Sequence, residues 1–135
     1  MTITRNTDYV FAEKSTLVSG GVVFVSVIGT KNHIFIIPKE KLSGAGRTVI
    51  NEKFGTDWLK ELLSNLQTTK ESFEKTLRGK LIPTYILDIN LFTDFNIKTS
   101  FFSKGLYYKK TGDRGWSGLP LSKNDALDFK NFYGK

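Results

Sequence analysis

Hydrophobic residues recur at steps of three and four between Thr56 and Gly79. The recurring positions are Trp58, Leu59, Leu62, Leu63, Leu66, Phe73 and Leu77. This period predicts one amphipathic helix of about 22 residues, roughly 33 Å long at 1.5 Å per residue. Thr56 is the expected N-cap, and Gly79 is the expected left-handed stop. We expect this single helix to cross the whole fold with its apolar stripe in the core, the alternative being a helix that docks in a partner's groove.

Two β-branched runs that precede this helix predict a hairpin. They span Val22–Ile28 (VVFVSVI) and His33–Ile37 (HIFII), and the four residues between them suit a tight connection. Both runs are apolar on both faces, so we expect central strands covered by the helix or by a second sheet layer. Pro38 is expected to end the second strand, because proline cannot donate to a strand ladder.

Weaker signals surround the hairpin. Tyr9–Phe11 predicts a short edge strand, residues 13–21 predict a turn from their serine and glycine content, and Val49 with Ile50 predicts a short strand before the helix. The run Ser43–Thr48 (SGAGRT) offers the glycines and arginine of an anion-binding loop. It lacks the GK[ST] ending and a helix directly after it, so we interpret it as a connection.

Alternating hydrophobic positions predict a three-stranded antiparallel meander after Gly79. The strands are expected at Thr84–Phe92, Ile97–Phe102 and Leu106–Lys110, with turns at residues 93–96 and 103–105 and a loop or tight hairpin end at 111–118. The register at the second turn stays open. A two-residue Lys104-Gly105 turn places Phe102 opposite Tyr107, and a three-residue turn with a bulge at Gly105 places it opposite Leu106.

The chain is expected to close with a short helix. Ser122 is its predicted N-cap, Asp125 follows at capping-box spacing, and Gly134 is the predicted stop. The elements together predict an α+β fold with residues 1–135 as a single domain. In it, a mainly antiparallel sheet, made of the N-terminal hairpin and the C-terminal meander, packs on one long central helix.

Composition narrows the class of protein. The chain has no cysteine, which excludes disulfides, thiol catalysis and thiolate metal sites. It has no apolar stretch of membrane-spanning length and no signal-peptide pattern at its start, so we expect a cytoplasmic protein without membrane contact.

The net charge of +7 suits an acidic protein or a nucleic acid as partner, the alternative being a well-solvated basic surface. Eighteen aromatic rings are too many to bury completely, so we expect some to face a partner.

Residue types that carry chemistry form no recognisable catalytic pattern. His33, the single histidine, stands at the start of an apolar strand, where we expect a structural role. Asp88, Asn90 and Asp94 are a candidate set for a divalent ion, with ordinary polar decoration of a strand as the alternative. Glutamate and lysine occur as direct neighbours, without the Glu-x-Lys spacing of restriction-type nucleases. We predict no catalytic residue, no metal ligand and no cofactor.

The strongest functional signal lies between Phe101 and Trp116, where cations alternate with rings. The predicted partner-binding residues are Lys104, Tyr107, Lys109, Lys110, Arg114 and Trp116. These residue types suit an acidic protein surface with aromatic hot spots, or stacked bases with neutralised phosphates. The structural alternative is that alternate rings enter the core while lysines protect strand edges. The same edge is also open to strand addition by a partner.

We therefore expect a non-enzymatic protein-binding module, such as a toxin-neutralising immunity-type protein or an adaptor, with an acidic protein as its partner. The first alternative is a nucleic-acid-binding protein, since the net charge is strongly positive. The second is a small enzyme whose carboxylate or lysine site assembles only on folding. The sequence leaves the partner's identity, the oligomeric state and the strand order open.

Overall fold

The computed structural model describes residues 2–18, 22–43, 50–53, 55–65 and 67–135. Its strands are β1 (Val10–Val18), β2 (Val22–Gly29), β3 (His33–Ser43), β4 (Ile50–Lys53), β5 (Ile86–Asp88), β6 (Phe92–Ser100), β7 (Ser103–Lys110) and β8 (Ser117–Pro120). Its α-helices are α1 (Asp57–Ser64), α2 (Lys70–Lys80) and α3 (Lys123–Tyr133). Short 3₁₀ turns at Pro83–Tyr85 and Ile89–Leu91 flank β5. This is an α+β fold, as predicted.

Two antiparallel sheets hold these strands. The first has the order β1-β2-β3-β4 with β5 also on β3, and the second has the order β6-β7-β8. The Ser15 hydroxyl on β1 donates to the Pro120 carbonyl on β8 at 2.7 Å, which joins the sheets at these two strands. The second sheet packs on one face of the first sheet, and α1 and α2 pack on the other face.

Each face of the first sheet covers its own hydrophobic cluster. Toward the second sheet and α3, the cluster includes Val23, Val25, Val27, Ile34, Ile36, Leu106, Leu119 and Phe129. Toward α1 and α2, it includes Tyr9, Ile28, Phe35, Ile37, Leu59, Phe73 and Leu77. The prediction that β2 and β3 are central and buried on both faces is confirmed, because successive residues of β3 alternate between the two clusters.

The prediction that Pro38 ends its strand is wrong, since β3 continues to Ser43. One edge of β3 pairs with β5 at His33–Phe35 and with β4 at Glu40–Ser43. Pro38 falls between these two described partners, beside a bulge in the pairing with β2. Proline is tolerated there, because no ladder bond from its nitrogen is needed.

The single long helix is also wrong, because its predicted span divides into α1 and α2. The Asn65 side chain accepts the Gln67 N–H at 2.9 Å, and the Thr69 hydroxyl accepts the Ser72 N–H at 3.2 Å. Short polar side chains that bond to nearby backbone in this way favour caps over helix interiors. Gly79 lies inside α2 and is not a stop, and Leu66 of the predicted stripe lies outside the described residues.

Several predicted boundaries at the N-terminal sheet change. The edge strand extends to Val18, so residues 13–18 of the predicted turn are strand, and 19–21 lie outside the described residues. The short strand before α1 begins at Ile50, while Val49 and residues 44–48 of the glycine-rich run lie outside the described part. Thr56 precedes α1 but makes no side-chain cap bond.

The C-terminal meander exists, but its strands are shifted from the prediction. Within the predicted strand 84–92, β5 covers only Ile86–Asp88 and belongs to the first sheet, and Phe92 already begins β6. β5 ends where the Asp88 carboxylate accepts the Asn90 N–H and begins a 3₁₀ turn. Residues 93–96 continue β6 instead of turning. The third meander strand is β8, which begins at the end of the predicted loop 111–118 and continues to Pro120. The closing helix is confirmed, with Ser122 as N-cap and Gly134 left-handed at its end.

Both predicted turns near Gly105 are wrong. Ser100 pairs with Ser103, so the connection between β6 and β7 is the two residues Phe101 and Phe102. Gly105 lies inside β7 and pairs with Lys98 on one side and Pro120 on the other. A Cβ at Gly105 would lie 2.6 Å from the Leu119 carbonyl oxygen. This glycine thus permits close approach of β8 and makes no turn.

Candidate functional site

The second sheet has one face in the core and one face turned away from it. Cross-strand pairs place Ile97 with Leu106 and Leu119 on the core face. The opposite face, called the outer face here, carries Asp94, Asn96, Lys98, Tyr107, Lys109 and Gly118. Because side chains alternate along a strand, the basic and aromatic residues of β7 divide between the two faces.

Tyr107 forms the centre of the outer face. A side chain at Gly118 would collide with its ring, since a Cβ there would lie 2.7 Å from Tyr107 Cε1. The Tyr107 hydroxyl lies 3.2 Å from the Ser103 hydroxyl, and Lys98 Nζ lies 5.0 Å from the ring centroid. Contacts from three directions fix this ring before any partner binds, which lowers the entropy lost on binding.

A second cation and ring stand next to Tyr107. Lys109 Nζ lies 5.9 Å from the Trp116 ring, which directly precedes β8 and is 54% exposed. Such cation–π pairs contribute about 0.5–1 kcal/mol at exposed sites. The outer face therefore presents two ring–lysine pairs side by side.

The hairpin tip, defined as Phe101 and Phe102, presents a different surface. The two side chains are 82% and 95% exposed, and their rings meet edge to face with centroids 5.0 Å apart. Lys104 Nζ lies 5.9 Å from the Phe101 ring. Two large apolar side chains thus stand in solvent with a cation beside them.

The predicted site residues fall into three places. Tyr107, Lys109 and Trp116 meet on or beside the outer face, whereas Lys104 lies near the hairpin tip on the other side of β7. Lys110 and Arg114 lie at the far end, where the Lys110 N–H donates to the Asp113 carboxylate at 2.9 Å and closes the loop that holds Arg114.

Sequence reasoning left Lys98 and the two tip phenylalanines out of the predicted site. Lys98 belongs to the neighbouring strand, so its place beside Tyr107 depends on a register that the sequence left open. Phe101 and Phe102 interrupt the apolar–polar alternation between two serines. That interruption was the available signal for an exposed turn.

Positive charge exceeds negative charge at this end of the molecule, where Asp94 lies directly across from Lys109 and Asp113 lies beside Lys110. One ion pair closer than 4.0 Å occurs among the described residues, between Lys70 and Asp8 on the helix side of the first sheet. Residues 95–112 contain four lysines and no acidic residue. A long basic stretch on one hairpin creates a positive field that favours an acidic partner.

Shifted pKa values occur away from the outer face. The Thr4 backbone N–H and Lys70 hold the pKa of Asp8 below its usual range. Burial raises the pKa of the phenols of Tyr9, Tyr108 and Tyr133. These tyrosines therefore stay neutral well above pH 7.

The predicted ion set Asp88, Asn90 and Asp94 does not come together as a metal centre. Asp88 is committed to the Asn90 backbone, and Asp94 lies on the outer face of the other sheet. In the part of the chain that the structure describes, no three or more histidine or acidic side chains form a group that could hold a metal ion. His33 instead accepts a hydrogen bond from Arg78, whose Nη2 lies 2.9 Å from its Nε2.

Comparisons with known proteins do not add a function to this geometry. No family model matches the chain, and neither the curated proteins nor the solved structures contain a significant match. The described helices include none that is both long and apolar enough to cross a membrane. Function must therefore be inferred from the outer face and the hairpin tip.

Proposed function

We propose that this protein is a non-enzymatic binding module that recognises an acidic protein through the outer face of its C-terminal sheet. The observation that carries the proposal is the pair of ring–lysine contacts, Lys98 with Tyr107 and Lys109 with Trp116, on the face of the second sheet opposite its hydrophobic core. Tyrosine and tryptophan are enriched at protein interfaces and among the residues that contribute most to binding. A toxin-neutralising immunity-type protein or an adaptor would work through such a surface.

The charge of the surface specifies the partner's chemistry. Neither Lys98 nor Lys109 forms an ion pair within 4.0 Å among the described residues, and Asp94 is the acidic residue directly across from Lys109. Both ammonium groups can therefore contact acidic groups of a partner. Complementary charge speeds the encounter and excludes partners of like sign more than it raises affinity. We expect the interface to form fastest at low salt.

Nucleic acid is the second candidate, and the Tyr107 geometry disfavours it. Base stacking needs an open ring face. One side of the Tyr107 ring lies against Gly118, and the Lys98 ammonium lies over the ring. A ring held in this way suits edge and hydroxyl contacts with a protein better than stacking on a base.

The test begins with recovery of the tagged protein from its native cells in mild salt and identification of what accompanies it. The variant Lys98→Glu/Lys109→Glu should then bind the purified acidic partner at least about 10-fold more weakly at low salt. The loss should narrow as salt rises, because the affected contacts are electrostatic. Binding is measured by surface plasmon resonance, and folding by the urea midpoint.

The matched control reverses two exposed lysines on the helix layer, Lys60→Glu/Lys75→Glu. It makes the same change in net charge far from the outer face. Equal weakening by both double variants would mean that only net charge matters and would reject the outer face. Recovery of nucleic acid that dissociates steeply with salt, in place of a protein, would support the second candidate.

A further inference from the structure

The hairpin tip places two phenylalanines where turn chemistry favours other residues. Two-residue connections between antiparallel strands favour Asn-Gly and similar pairs, because the usual turns need positive φ. In the described part of the chain, Asn6 is the one non-glycine residue with positive φ. Phe101 and Phe102 therefore have negative φ and do not adopt those turns. Turn geometry therefore does not explain the choice of phenylalanine at either position.

Core packing does not explain this choice either. Both rings are largely in solvent, and neither belongs to the two hydrophobic clusters. Their one aromatic contact is with each other, edge to face at an interplanar angle of 86°. Neither the turn nor the core therefore favours these two side chains. Departures of this kind from local sequence preferences are typical of functional sites.

The shape and charge of the tip define what it can enter. It is convex, so its complement is concave, and two phenylalanine rings bring roughly 300–500 Å² of apolar surface to such a pocket. Lys104 lies beside it, with Nζ 5.9 Å from the Phe101 ring, and residues 95–112 lack acidic side chains. A second copy of the chain would bring the same positive charges, which disfavours self-association through the tip.

We propose that the Phe101–Phe102 turn is the apolar anchor of the interface and inserts into an apolar, carboxylate-rimmed pocket of the partner protein. This inference rests on the proposed function and adds the residues that hold the complex together. A buried aromatic anchor acts mainly on the dissociation rate, whereas the lysines of the outer face act mainly on the association rate. The two surfaces therefore predict different kinetic effects.

The first experiment finds the pocket. A photoreactive benzoylphenylalanine replaces Phe102 in the full chain, and cells are irradiated before the cross-linked protein is identified by mass spectrometry. We expect a cross-link to one acidic protein, at a peptide from an apolar pocket bordered by aspartate or glutamate. Cross-links to lipid, nucleic acid or a second copy, or no cross-link at all, would overturn the anchor.

The second experiment measures the affinity of the purified partner protein for the variant Phe101→Asn/Phe102→Gly. Asparagine and glycine are small turn residues, and neither phenylalanine ring belongs to a hydrophobic cluster, so the urea midpoint should hold while affinity falls at least about 30-fold through faster dissociation. Phe102→Glu is a second variant, which a carboxylate-rimmed pocket should reject even more strongly. The matched control is Ile82→Ser/Leu91→Ser, which removes two apolar side chains that are 57% and 62% exposed elsewhere.

The outcomes separate this inference from the proposed function. If Lys98→Glu/Lys109→Glu weakens binding but both tip variants bind like wild type, the outer face stands and the anchor is wrong. If the tip variants lose stability together with affinity, the phenylalanines have a structural role and the anchor is also wrong. If no protein partner is recovered by the wild-type chain, the proposed function itself fails.

Discussion

Removal of one hydroxyl at the C-terminal helix should destabilise the entire fold. The Tyr133 hydroxyl donates to the Thr30 carbonyl at 2.7 Å, across 103 residues of chain. Thr30 connects β2 to β3 and is only 5% exposed. In Tyr133→Phe the carbonyl loses this donor in a buried place, so we expect a loss of about 1–3 kcal/mol in the free energy of unfolding.

The neighbouring glycine gives this prediction an internal check. A Cβ at Gly29 would overlap the Tyr133 hydroxyl, so Gly29→Ala should displace the ring and cost about 1–3 kcal/mol by itself. In the double variant the hydroxyl is already gone. The remaining neighbours, Val10 Cγ1 at 3.0 Å and the ring carbon Cζ at 3.1 Å, are tight but not overlapping. The two losses should therefore fall short of additivity by at least about 1 kcal/mol.

Urea unfolding followed by circular dichroism measures all four proteins of the cycle. With a slope of about 2 kcal/mol per molar urea, a loss of 2 kcal/mol lowers the midpoint by roughly 1 M. Tyr133→Phe within about 0.5 kcal/mol of wild type would refute the hydrogen bond as a stabilising contact. Additive losses within the same margin would refute the predicted collision at Gly29.

The same tyrosine predicts a pH dependence whose sign follows from its surroundings. Burial raises the folded-state pKa of Tyr133 above the ordinary value of 10.0. The unfolded chain therefore releases this proton first, and the stabilisation, complete below pH 10, declines as pH rises beyond it. Tyr133→Phe lacks this decline. The stability difference between the two proteins should shrink from pH 9 to pH 11, and a constant difference would contradict the buried phenol.

Three further substitutions test two helix caps and the glycine inside β7. Thr69→Ala removes the N-cap of α2 and should cost about 1 kcal/mol, seen as a lower thermal midpoint, with a similar loss for Ser122→Ala at α3. An unchanged midpoint would mean that Thr69 does not separate the two helices. Gly105→Ala places a methyl group 2.6 Å from the Leu119 carbonyl oxygen and should cost more than about 2 kcal/mol, measured in urea. A neutral effect would contradict the close approach of the Leu119 carbonyl to Gly105.

Periodic signals predicted the parts of the fold that depend on side-chain burial. The continuous β-branched runs of β2 and β3 predicted two-sided burial, and β3 sends Ile34 and Ile36 to one cluster and Phe35 and Ile37 to the other. The C-terminal helix was predictable from a different local signal, because the Ser122 hydroxyl accepts the Asp125 N–H three residues ahead. Burial and capping act over a few residues, so the sequence shows them directly.

Errors arose where hydrogen bonds of single polar side chains outweighed the hydrophobic period. The described residues of the stripe belong to one cluster or pack against it, and both resulting helices contribute to that cluster: Trp58, Leu59, Leu62, Leu63, Phe73 and Leu77. Asn65 and Thr69 nevertheless end one helix and begin the next. A hydrophobic period reports which face is buried, but it does not report whether the backbone between two buried turns stays helical.

The candidate site was only partly predictable, because it depends on strand pairing. Tyr107, Lys109 and Trp116 were identified from their residue types, and the pairing of β7 with β8 brings them to one face. Lys98 comes from another strand, and its contact with Tyr107 follows from the register. Register is set by long-range contacts, which composition and spacing do not contain.

The misplaced turn carries the most information about function. Glycine usually marks turns, so the sequence predicts a turn at Gly105 and a strand that includes Phe101 and Phe102. The structure reverses the two: Gly105 allows β8 to approach β7, and Phe101 with Phe102 makes the turn. Phenylalanine is not among the residues that turns favour, and paired strands flank this turn up to Ser100 and Ser103. Such a turn leaves its side chains unconstrained by folding, and a partner's pocket is the physical reason we infer for two phenylalanines there.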